Sequence, residues 1–250
     1  MQALSMQKPY VIIHTLTSLD GRIHNIELPE FDSAALQYEQ LALHADQQVL
    51  NIQGYLNGRV STDDNFTHYR QPDLNPSADT VPEGDFVAEA NAPMYYVALD
   101  PAGRLGWQEN HVDYGGVRSH VVSVLTGKAS NAYKDFLRRL GISYVVAGKD
   151  APDNALALHK LATLFGMERV MIGGGGVLNW SYVQDGLVDE VSLLMAPVSD
   201  ASPSAPGLFT AKEPLTRVQP YSFTLIEVKP LKDSTVWLRY RVNNPRPERP

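Results

Sequence analysis

The chain has no cysteine among its 250 residues. Disulfides, thiolate nucleophiles and cysteine-based zinc sites are excluded. No apolar run approaches the ~20 residues needed to cross a bilayer. The first residues, MQALSMQKPYVII, lack the apolar stretch and cleavage site of a signal peptide. Basic charge is not in excess: 28 acidic against 21 basic residues leave a net charge of −7, with a pI near 5.5. That argues against non-specific binding to nucleic acid or an anionic membrane. The seven histidines show no H-x-x-x-H spacing with an acidic partner, so no metal site is expected. The expected setting is cytoplasmic, with a small-molecule partner.

What is present is an ordinary globular composition, 44% hydrophobic and 20% charged, in a chain long enough to bury a core. Nothing marks a second domain or an internal repeat. The expected organisation is a flexible N-terminus over 1–8, a single domain over 9–243 and a disordered tail over 244–250.

Along the chain, YVIIH at 10–14 reads as a strand buried on both faces. A helix is expected over 32–44, capped by Asp32 or Ser33. A short strand falls near 55–57. From 62 to 92 the chain is polar and proline-bearing, with Pro72, Pro76 and Pro82, and reads as a long loop that serves as a lid or mobile segment. Strands are expected at 94–99, 120–125, 143–147, 169–172 and 190–196. Helices are expected at 132–140, stopped by Gly141, at 154–165, stopped by Gly166, and at 177–184. Two strands at 221–229 and 235–242 read as a hairpin. The fold class is α/β: a mostly parallel central sheet with helices on both faces and a C-terminal antiparallel hairpin.

Four segments could carry chemistry. Gly173 to Gly176 lie between a strand and a helix, where backbone can approach a ligand closely and the helix N-terminus favours a diphosphate. The run lacks the G-x-G-x-x-G pattern, and tight packing is the rival reading. Gly58-Arg59-Val60-Ser61-Thr62 offers a guanidinium and two hydroxyls to phosphate oxygens, though taken alone it reads more simply as a solvated arginine with a hydroxyl helix cap. Ser18-Leu19-Asp20-Gly21-Arg22 follows the first strand. Asp20 there could orient a polar substrate or move a proton, or be an ordinary Asp-Gly turn. Leu125-Thr126-Gly127 ends another strand.

In their order these motifs resemble the reductase domain of riboflavin biosynthesis, the C-terminal half of the bacterial bifunctional deaminase–reductase, which shares its fold with dihydrofolate reductase. YVIIHTLTSLDGRI, GYLNGRVSTDDNF, ERVMIGGGGVLNWSYVQDGLVDEVSLLMAPV and VWLRYRV carry the likeness. The resemblance implies a homodimer that uses NADPH and reduces a phosphorylated ribosylaminopyrimidine, as 5-amino-6-(5-phosphoribosylamino)uracil reductase does. It implies that Gly58, Arg59, Ser61 and Thr62 hold cofactor phosphates and that Gly174, Gly175, Gly176 and Val177 hold the diphosphate. Leu125 and Thr126 would lie beside the adenosine half, and Ser18 and Asp20 would face nicotinamide and substrate. Thr67 and Arg70 loosely echo the family's substrate loop. Two departures are a glycine at 173, where the family commonly has glutamate, and Arg22 for a common lysine. A deaminase half needs cysteine ligands, so none is expected in these 250 residues. Two other readings remain: a related NADPH reductase acting on a pterin or another small substrate, and a nucleotide-binding protein without catalysis.

Overall fold

The structure is a computed structural model and describes residues 7–44 and 46–243. The tail expected over 244–250, and residues 1–6 of the expected N-terminal arm, lie outside the described residues. By internal packing the chain divides into two compact units: Ile52–Val170, and Tyr10–Asn51 with the chain from Met171 onward. The sequence reading took 9–243 as one domain.

The first unit is built on β2 (Gly54–Gly58), β3 (Tyr95–Leu99), β5 (Val117–Leu125) and β6 (Ser143–Val146), with β2, β3, β5 and β6 paired parallel in that order. Strand β4 (His111–Tyr114) runs antiparallel against the start of β5. Tyr55, Leu56, Tyr96, Val97, Val122 and Tyr144 are almost wholly buried, as near-continuous apolar strands of a covered parallel sheet must be. Helices α3 (Asn131–Leu140) and α4 (Asn154–Phe165) start on Ser130 and Asp153, whose side chains accept the Tyr133 and Leu156 amides. Both end on left-handed glycines, Gly141 and Gly166, as read from sequence.

The second unit has β1 (Tyr10–Thr17) parallel to β8 (Glu190–Met195), and β10 (Val236–Val242) antiparallel to both β8 and β9 (Phe223–Pro230). Strand β7 (Arg169–Ile172) runs through the division and leads to α5 (Gly176–Gln184). The mixed, mostly parallel sheet and the closing hairpin are those expected. Helix α1 (Pro29–Ala42) begins earlier than expected. Its N-cap is Leu28 with Pro29 at the first turn, while the Ser33 hydroxyl donates to Asp233. Proline suits that position because its missing N–H has no partner to lose.

The segment expected to be a loop over 62–92 is in part structured. A short helix, α2 (Arg59–Thr62), passes into one wide turn, Asp63–Thr67. Further on, Phe86 pairs with Tyr144 in a bridge, Lys160 holds Asp85 at 2.9 Å, and the Arg138 guanidinium lies 4.3 Å over the Phe86 ring. This stretch is a strap fastened to the first unit, not a free lid.

Candidate functional site

Parallel pairing puts strand ends of one polarity together. In the first unit Gly58 lies opposite Leu99, Leu99 opposite Val124, and Leu125 opposite Val146. The carboxyl ends of β2, β3, β5 and β6 thus share one edge, the edge at which open α/β sheets bind ligands. Gly58 and Arg59, Asp100, Thr126 and Ala147 emerge there.

At this edge Arg59 keeps its side chain 37% exposed, and its Nη1 donates to Asp63 at 2.7 Å. The other Asp63 oxygen accepts the Thr67 hydroxyl at 2.6 Å, and Asp63 and Thr67 are both buried. The Thr62 hydroxyl bonds the Gly58 carbonyl and the Tyr96 hydroxyl inside the core. Burial pushes the Tyr96 hydroxyl well above its usual range and keeps it neutral. Thr62 and Thr67, expected to meet phosphate and substrate, instead spend their hydroxyls on the fold: they hold α2 and the turn after it in place. Ser61 is half-buried, with its carbonyl taken by Asn65.

Leu125 and Thr126 also depart from expectation. Leu125 is buried in β5, and the Thr126 hydroxyl donates to the Pro101 carbonyl at 2.7 Å. Neither side chain reaches out toward an adenosine. Arg70 is exposed, bonds Gln108 at 2.6 Å, and lines a cavity of about 200 Å³ with Phe66, Trp107 and His111. Asp100 was missed by sequence reading. Its Oδ2 accepts the Arg104 and Leu105 amides and the Tyr133 hydroxyl, and it ties down the turn after β3.

In the second unit Thr17 of β1 lies opposite Met195 of β8, and the Asp20 turn follows. The Ser18 hydroxyl donates to Asp20 at 2.5 Å and accepts the Arg22 amide at 3.2 Å. Ser18 is wholly buried, so it positions Asp20 instead of facing a ligand. Asp20 itself is exposed, and hydrogen bonds from Ser18 above all hold its carboxyl below the usual carboxylate range. It is therefore an ionised acceptor at neutral pH. Beside the end of β8 is a cavity of about 660 Å³ lined by Leu28, Glu30, Ser199 and Asp233.

The glycine run lies between β7 and α5. Gly174 and Gly175 have φ of +126° and +85°, and a Cβ on either would meet nothing closer than Leu178 Cβ at 3.9 Å. The backbone there is left-handed and open. The first bond of α5 runs from the Asn179 amide to the Gly175 carbonyl, so the amides of the turn before Asn179 precede the helical ladder. No acidic residue lies in that first turn. Gly176 differs: a Cβ there would be 2.2 Å from the Gly207 carbonyl and 2.7 Å from the Thr210 hydroxyl. It is a packing glycine, the rival reading of the run, now confined to one position. Trp180 and Tyr182 are core residues.

A dinucleotide diphosphate fits the open backbone of Gly174 and Gly175 and the free amides at the head of α5. Among the described residues no group of three or more histidine, aspartate or glutamate side chains could hold a metal ion.

The mixed, mostly parallel sheet with its closing antiparallel hairpin is of the dihydrofolate-reductase-like class. The chain belongs to the RibD C-terminal domain family, whose model matches residues 9–231. A 2,5-diamino-6-ribosylamino-4(3H)-pyrimidinone 5′-phosphate reductase of Aquifex aeolicus is 23% identical over 206 residues, which is 81% of this chain and 83% of that one. A protein of the same name from Methanothermobacter thermautotrophicus is 46% identical over 54 residues, 22% of this chain and only 24% of that relative. Among solved structures, a pyrimidine reductase-like protein of Corynebacterium diphtheriae has a TM-score of 0.60 at 13% identity, covering 94% of this chain and 92% of that one. RibD of Acinetobacter baumannii gives 0.58 at 21% identity, and the chain spans 58% of its length. At these identities the structural likeness is one of fold.

Proposed function

We propose that this chain is an NADPH-dependent reductase of riboflavin biosynthesis, working in the cytoplasm on a phosphorylated ribosylaminopyrimidine. The observation that carries the reading is the open, left-handed backbone at Gly174 and Gly175 ahead of an α5 first turn without acidic side chains. Family membership supports it. In the second unit Gly174, Gly175 and the Val177 amide would hold the diphosphate, and in the first unit Arg59 with Ser61 are the candidates for binding a phosphate. NADPH held there would supply a hydride for C1′ of the ring-opened ribose imine, the imine nitrogen taking its proton from water.

The chain's own contribution is orientation. Asp20, ionised and braced by Ser18, offers a charged acceptor to a substrate hydroxyl or amine. Hydrogen bonds from Ser18 hold the carboxyl below the usual carboxylate range, which suits it to positioning that group in its ionised form. Arg70 offers a cation to the substrate phosphate. The relatives' names carry a 2-amino pyrimidinone, whereas the uracil compound implied by the sequence resemblance has an oxo group there. Purified protein should oxidise NADPH with one of the two in an absorbance assay. Failure with both would refute the reading and favour the pterin reductase or the non-catalytic binder.

A homodimer is part of the proposal. On β9 the side chains of Leu225, Ile226 and Val228 are exposed, an apolar strand face that association would cover. Sedimentation velocity should give twice the chain mass of 27.6 kDa.

A further inference from the structure

Residues 205–210 touch both parts of the candidate site in the second unit. On one side lies the Asp20 turn. Arg22 pairs with Gly207 in a one-residue antiparallel bridge, and the Ile23 amide donates to the Pro206 carbonyl at 2.9 Å. Arg22 Nη1 donates to the Ala205 carbonyl at 3.0 Å. On the other side lies the glycine run. The Thr210 amide donates to the Gly176 carbonyl at 3.0 Å, and Gly176 packs on the Gly207 carbonyl with no room for a methyl group.

Leu208 is pinned from both directions. Its amide donates to the Gly21 carbonyl at 3.3 Å, and its carbonyl accepts Asn179 Nδ2 at 3.0 Å. Asn179 is wholly buried, one turn into α5. The next residue, Phe209, lies against Trp180 and Phe223 with ring centroids 5.6 and 5.9 Å apart. The segment therefore has little slack: a shift of the first turn of α5 is passed through Asn179 and Phe209 to the backbone that Gly21 and Arg22 hold.

We infer that residues 205–210 form a rigid link by which the diphosphate end of the cofactor site sets the geometry of Asp20, with Asn179 and Arg22 as its two positioning residues. The inference rests on the dinucleotide reading above for its function, though not for its mechanics. Neither residue is assigned a contact with the reacting atoms. Each acts through the link, and the cofactor would then arrange the turn that meets the substrate.

The mechanics are tested without cofactor, by amide hydrogen exchange resolved to single residues. Asn179→Ala should speed exchange at Ile23 and Ser18, on the far side of the link, roughly tenfold or more. Amides of β1 and β8 should keep wild-type protection. Wild-type rates at Ile23 and Ser18 would overturn the link.

The second variant is Arg22→Ala, at the half-buried end of the link. It should weaken ADP-ribose 2′-phosphate, which carries the diphosphate but no nicotinamide, roughly tenfold, the loss of about one hydrogen bond from a charged donor. Arg22→Lys, which retains a cation able to reach the Ala205 carbonyl, should restore most of the affinity. Unchanged fragment affinity in Arg22→Ala also overturns the link. If the wild-type protein does not bind the fragment, the dinucleotide reading fails, and the exchange experiment alone decides the link.

Discussion

The imidazole of His14 lies flat on the ring of Tyr38, with centroids 4.3 Å apart and planes within 5°. Its Nε2 faces the Tyr38 carbonyl at 3.0 Å, so it must carry the proton; Nδ1 then accepts from the Ser192 hydroxyl, which in turn accepts the Trp237 indole N–H. The chain of bonds fixes one neutral tautomer.

Burial lowers the His14 pKa to about 4, against 6.5 for an exposed histidine. Between those values the unfolded chain holds more protons than the folded one. Stability should therefore be complete above pH 6.5 and fall as pH drops toward 4, by about 3 kcal/mol for this group. Denaturant titrations at pH 7.5 and 4.5 should show that loss. His14→Gln, which can still donate to Tyr38 and accept from Ser192, should remove most of the pH slope. An unchanged slope refutes the assignment.

The glycine run separates into two behaviours. Gly175→Ala must adopt φ near +85° but meets no close neighbour, so it should fold with a loss of about 1–2 kcal/mol. Gly176→Ala meets the Gly207 carbonyl and should cost more, about 3 kcal/mol, the upper end for an overpacked site. Gly175→Val should fold and lose NADPH binding, measured by fluorescence titration. Wild-type NADPH affinity in Gly175→Val would remove the diphosphate from this backbone.

Arg59→Ala should cost about 1.5–3 kcal/mol of NADPH affinity, the range for a hydrogen bond to a charged group, while NADH affinity changes little. It also strips Asp63, buried in the fold, of its ion pair, so melting temperature should fall too. Equal losses for the two nucleotides would remove the additional phosphate from Arg59.

Thr62→Val is the contrasting case. Its hydroxyl bonds Gly58 and Tyr96 inside the core. The substitution should lower stability by about 1–2 kcal/mol and leave nucleotide affinity near wild type. A specific loss of affinity at unchanged stability would return Thr62 to the phosphate site.

Asp20→Asn should keep the melting temperature, because Asp20 is exposed. Turnover should fall by less than the ~10²-fold at the lower end of a proton-transferring group's contribution. Hydrogen bonds from Ser18 hold the Asp20 carboxyl low, so the acid limb of the wild-type pH–rate profile should lie below the ordinary carboxylate range. Ser18→Ala should move that limb upward.

The β7–glycine–α5–β8 stretch was legible because its signals are local. An apolar run, four glycines and an alternation of period name their own elements, and α4 was found at its true ends for the same reason. Helix α2 and the turn after it were not legible. RVSTDDNFT carries no apolar stripe, and its shape is held by Arg59 to Asp63, Thr67 to Asp63 and Thr62 to Tyr96, the last a partner in another strand. Strand β4 was missed although Gly115 and Gly116, with φ of 54° and 73°, make the hairpin turn that signals it. Of the site, positions were easier to read than roles. Ser18, Thr62, Thr67 and Thr126 are hydroxyl residues in suggestive motifs, but whether a hydroxyl meets a ligand or a carbonyl depends on contacts that composition does not record.

The strap over 73–88 has a consequence for cutting the chain. Arg139 holds the Asp73 carbonyl at 2.7 Å, and Asn131 holds Asp79 and Val81. Between these anchors the residues are mostly exposed, the kind of stretch where proteases nick and insertions are tolerated. A break there leaves each new terminus tethered to α3. The two fragments stay joined through the sheet of the first unit, so a nicked preparation runs as two bands under denaturing conditions and as one molecule under native ones.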